Sequence, residues 1–126
     1  AIMYNQPLTN AMFVDFTNPT TQLYGINSVK VIGGVAAMWS GDVNMNGIID
    51  YVGAGNDRDL ILTVLGGINP NATISGYYSE DLNLDGIVKY TGISNDRDII
   101  LQTIGGTTPT NIKQAQIPWK KYYFYF

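Results

Sequence analysis

The residues best equipped for chemistry are oxygen donors set at alternate positions. Asp42, Asn44 and Asn46 run up to Gly47, and Asp81, Asn83 and Asp85 run up to Gly86. A hard cation takes roughly six to eight oxygens at short range, delivered from alternate positions of a tightly turned loop. These residues fit the first, third and fifth positions of such a loop, with glycine where the turn is sharpest. Ile48 and Ile87 then offer backbone carbonyls at the seventh position. The pattern predicts calcium, one ion in each loop and two in all. Magnesium fits less well, because it holds its waters and demands rigid octahedral geometry.

The closing ligand is displaced relative to an ordinary EF-hand loop, where an acid stands at the twelfth position. That position here is Gly53 or Gly92, and the acids arrive later, in Asn56-Asp57-Arg58-Asp59 and Asn95-Asp96-Arg97-Asp98. About six residues are in effect inserted. Asp59 and Asp98 precede the apolar run that follows, as a closing acid should; Asp57 and Asp96 are competing candidates. The two loops differ at their ninth position, where Asp50 adds an oxygen donor to the first and Lys89 stands in the second. Asp42, Asp50, Asp57 and Asp59 against Arg58 leave the first loop a net −3; Asp81, Asp85, Asp96 and Asp98 against Lys89 and Arg97 leave the second a net −2. Such charge crowded into tight loops is unfavourable without a counter-ion. Arg58 and Arg97 are read as partners of loop carboxylates or of carbonyls in the other repeat, not as catalytic groups.

Both loops belong to one repeated unit. Gly41–Gly67 aligns without gaps on Glu80–Gly106 at an offset of 39, with 14 of 27 pairs identical. Each copy reads as a short strand (VAAMW or ISGYY), an Asp/Asn/Gly loop, and a helix of two to three turns. Asn56 and Asn95 are natural N-caps, acids in the first turn suit the helix dipole, and Gly66-Gly67 and Gly105-Gly106 are stops. The organisation expected is a β-strand segment over 1–33, tandem repeats over 34–110 (34–70 and 71–110), and an aromatic β-strand tail over 111–126. In the first segment, strands are expected around Phe13, Val14 and Phe16 and over 29–32.

Paired D-x-N-x-[DN]-G-x-[IV] openings ending in NDRD-x-IL and Gly-Gly resemble the dockerin type I-like domain at the C-terminal end of large secreted bacterial surface proteins. The similarity covers about Asp15 to Pro118, including DFTNPTTQLYG and AAMWSGDVN. It implies a calcium-stabilised, extracellular, non-enzymatic module; ordinary dockerins also imply assembly through helix surfaces. The insertion before NDRD and the closing WKKYYFYF depart from that pattern.

Composition narrows the alternatives. The 126 residues contain no Cys and no His, which removes disulfides, thiolate metal sites and the usual general base. Seven basic residues and a net charge of −3 argue against nucleic acid, and no apolar run is long enough to span a bilayer. Of 15 aromatics, six lie in the last eight positions: Trp119, Tyr122, Tyr123, Phe124, Tyr125 and Phe126. This tail has high β-propensity and needs cover. Three readings stand: it pairs with the chain's own N-terminal strands, it adds to a neighbouring subunit's sheet to build a filament, or it is a disordered tail; carbohydrate stacking is a further use of aromatics. The expectation is an α+β fold, small and β-rich, with two calcium-loop-plus-helix repeats flanked by terminal strands. Its function is that of an extracellular structural module that self-assembles, or else of an anchoring module for another extracellular protein or a glycan.

Overall fold

A computed structural model describes residues 13–23 and 27–114. Of the tail expected over 111–126, residues 115–126, including Trp119 and Tyr122–Phe126, lie outside the described residues. The chain is a mixed α+β protein of two helices and short antiparallel strands, and it divides into two compact units at Trp39/Ser40.

In the first unit, β1 (Lys30–Ile32) and β2 (Val35–Ala37) form a hairpin. Gly33 and Gly34 both take positive φ (57° and 84°), as a two-residue turn matched to strand twist requires. The strand expected around Phe13–Phe16 is not formed. Asp15 accepts the Thr17 N–H at 2.9 Å and Asn18 accepts the Thr20 N–H at 2.9 Å. These local bonds turn the chain twice within a few residues and compete with a ladder. The Thr17 carbonyl reaches the hairpin, accepting from the Ala36 N–H at 2.7 Å.

The second unit carries the repeats. β3 (Ile48–Asp50) leads to α1 (Asp57–Val64), and β4 (Thr73–Ser75) follows; β5 (Ile87–Lys89), α2 (Asp96–Thr103) and β6 (Ile112–Gln114) repeat the series. The pairing is crosswise. β4, after the first helix, pairs with β5 of the second loop; β6, after the second helix, pairs with β3 of the first. The closed unit is therefore loop, helix, strand, taken twice, and β6 holds the place relative to the first loop that β4 holds relative to the second. The strand reading of VAAMW is correct, but that strand serves the first unit's hairpin instead.

Both helices end in the same way. Gly66 and Gly67 donate to the Thr63 and Leu62 carbonyls (3.0 and 2.8 Å), and Gly105 and Gly106 donate to those of Gln102 and Leu101 (3.3 and 2.8 Å). This is the paired C-terminal motif that positive-φ glycine permits. The core of the unit is small: Ile49, Ile61, Val88 and Ile100 are fully buried, with Val43 and Ile104 nearly so. It matches the repeat, each loop contributing one strand residue and each helix one isoleucine. Gly41 sits against it at φ 128°, where an added Cβ would stand 2.8 Å from Ile49 Cγ2.

Candidate metal centre

Each loop is held from within by its own side-chain oxygens. Asp42 accepts the Asn46 N–H on Oδ1 (3.0 Å) and the Gly47 N–H on Oδ2 (2.9 Å); Asn44 Oδ1 accepts the same Asn46 N–H at 2.9 Å. Two oxygens that share one N–H face a common point. The second loop repeats this: Asp81 Oδ1 and Asn83 Oδ1 converge on the Asp85 N–H (3.1 and 2.8 Å), and Asp81 Oδ2 takes the Gly86 N–H at 2.8 Å. The fifth-position side chains, Asn46 and Asp85, accept the N–H groups of Ile48 and Ile87 at 2.7 and 2.9 Å. The backbone turns through Met45 (φ 59°) and Leu84 (φ 61°), both left-handed and neither glycine. Sequence reasoning missed these two positions; no residue preference marks them, since the strain is imposed by the carboxylate and amide bonds on either side.

The two acids of each NDRD have different surroundings. Asp57 is fully buried and reaches back to the loop: Oδ1 accepts from Val43 and Asn44 (2.8 and 3.2 Å), Oδ2 from Asp50 (3.0 Å). Asp96 does the same for Leu82, Asn83 and Lys89 (2.8, 3.3 and 2.8 Å). Burial pushes both carboxyls above the ordinary carboxylate value, against the pull of those backbone bonds. In the first loop a return bond runs from the Asp57 N–H to Asp50 Oδ1 at 3.1 Å.

Asp59 is exposed and Asp98 half-exposed, and each sits three residues past its cap. The Asn56 side chain accepts the Asp59 N–H (3.0 Å) and donates to Asp59 Oδ2 (2.9 Å), and Asn95 and Asp98 match it at 2.9 Å for both. The Asn56 amide, then Arg58, hold Asp59 below the usual carboxylate range. Arg58 and Arg97 pair with Asp59 and Asp98 (2.9 and 3.3 Å) and stack over Tyr51 and Tyr90, 5.0 and 5.1 Å from the ring centres. The expected pairing with carboxylates is met by the neighbouring acid, and the tyrosine partners went unread. In the second repeat Asp98 shares an open recess with Asn83, Asp85 and Asn95. The two candidates thus divide the work: Asp96 fastens the loop, while Asp98 faces the space in front of it.

No family model, curated protein or solved structure matches the chain. Among the described residues, no three acidic side chains are gathered as a metal-holding group. The donor set is mixed, with amide oxygens of Asn44, Asn46 and Asn83 beside the carboxylates. A hard cation accepts carboxylate, amide and carbonyl oxygen alike, so the residues present fit calcium in kind. One positive charge already stands there: the Lys89 ammonium lies 3.1 Å from Asp85 Oδ2 and holds the Asp85 carboxyl below its ordinary value. Among the described residues no helix is long and apolar enough to cross a membrane.

Proposed function

We propose that residues 40–114 form a calcium-stabilised, non-enzymatic structural module of an extracellular protein. One observation carries the reading: in both loops the first- and third-position oxygens converge on one backbone N–H, ahead of a positive-φ glycine at the sixth position. The ligands assigned are Asp42, Asn44, Asn46, Asp50 and Asp59 with the Ile48 carbonyl, and Asp81, Asn83, Asp85 and Asp98 with the Ile87 carbonyl. Calcium offsets the net negative charge that remains on both loops. Asp57 and Asp96 keep the loops in shape for it by capturing backbone N–H groups. Dockerin-like architecture and a place at the cell surface follow from the resemblance and stand as part of this proposal. Self-assembly through 119–126 is its further extension.

A second reading, an anchoring module for a protein or glycan, is favoured by the loop tips. Met45 and Leu84 are large, apolar and exposed at equivalent positions, and Ile93 and Tyr77 add to the exposed apolar surface of the same unit.

The test is thermal unfolding with calcium and with chelator, beside calorimetric titration. An ion bound only by the folded state adds about 4 kcal/mol per site at a thousandfold excess over Kd, so the melting temperature should rise steeply with calcium. Unchanged melting and no heat of binding would overturn the reading.

A further inference from the structure

We propose that Lys89 is a built-in counter-ion of the second loop, so that the two loops take calcium in sequence, the first ahead of the second. The inference rests on the calcium reading above. The repeats are near copies, yet they differ in charge at the ninth loop position, where the first carries Asp50 and the second Lys89. Between positions one and nine the first loop holds Asp42 and Asp50, a net −2; the second holds Asp81, Asp85 and Lys89, a net −1.

Geometry makes the difference specific. The Lys89 ammonium sits 3.1 Å from Asp85 Oδ2, and the other oxygen of Asp85 takes the Ile87 N–H at 2.9 Å. A cation entering this loop must displace the ammonium or share its carboxylate. In the first loop the fifth position is neutral Asn46, which accepts the Ile48 N–H. Asp50 accepts the Asp57 N–H on Oδ1 and adds a negative charge. The lysine and its partner are only partly exposed, so solvent screens the pair incompletely. Without calcium the order reverses: the second loop, its charge partly offset by its own lysine, is the better held.

The experiment is calcium titration of the full chain followed by NMR, with Lys89→Met removing the charge while keeping most of the aliphatic stem. The Gly47 amide should shift at lower calcium than the Gly86 amide. Lys89→Met should strengthen the weaker step by about tenfold and leave the stronger one unchanged. In chelator, the same substitution should speed hydrogen exchange at the Asp85 and Gly86 amides. Two ions bound with equal affinity, or a weaker step indifferent to Lys89→Met, would overturn the inference while leaving calcium binding intact. A wild-type chain that binds no calcium would remove the calcium reading and this inference together.

Discussion

Asp57 and Asp96 are the residues on which the loops hang. Each accepts three backbone N–H groups from the loop, 7 to 14 residues before it in sequence, and each is fully buried. An unsatisfied buried donor costs about 1–3 kcal/mol, so Asp57→Ala and Asp96→Ala should each cost more than about 3 kcal/mol in chelator. Asp59→Ala and Asp98→Ala remove a partner of the cap and should cost about 1 kcal/mol there, yet abolish one calcium step each. Chemical denaturation in chelator, set beside calcium titration, separates the two pairs. The pH dependence has a sign of its own. Burial raises the folded-state pKa of Asp57 and Asp96, so the fold holds protons that the unfolded chain has released. Metal-free stability is then lost as pH rises from about 4 through the raised values. Asp59 and Asp85 are held low; their contribution is lost only below the ordinary carboxylate range and does not enter this window. Going from neutral to about pH 5 in chelator should raise the melting temperature, and a fall would show that the backbone bonds outweigh burial.

At the scale of elements, legibility followed the range of the interactions. The helices were readable because every determinant is local. Asn56 and Asn95 cap through the amide three residues on, and paired glycines close each C-terminus within one turn. The turn in each loop was readable because D-x-N-x-[ND]-G sets glycine where the backbone takes positive φ, at Gly47 (86°) and Gly86 (83°). NDRD was ambiguous for the opposite reason. Its two acids have the same chemistry, and only the partners brought by folding (backbone N–H groups for Asp57, an asparagine and an arginine for Asp59) tell them apart. Phe13–Phe16 has strand-like residues, but Asp15 and Asn18 each bond a threonine two residues away and bend the chain before a ladder can form. The three-residue strands carry too little pattern to announce their partners, and the crosswise pairing left no local trace.

That pairing determines how the whole unit should respond to truncation. Among the described residues, the second loop closes against β4, which lies between the two helices in sequence, so its sheet is complete before α2 begins. The first loop closes against β6, at the far end of the repeats, where Ile48, Ile49 and Asp50 meet Gln114, Lys113 and Ile112. A chain ending at Thr110 keeps both loops, both helices and the β4–β5 pair, but it exposes the edge of β3. A three-residue strand without its partner gains little from its own propensity. The damage should therefore appear in the first loop, more than 60 residues from the cut, as faster hydrogen exchange at Ile48–Asp50 and a weakened first calcium step. Exchange at Ile87–Lys89 should change much less. If the second loop suffers first, closure is local to each repeat and the crosswise pairing of β3 with β6 does not hold the unit together.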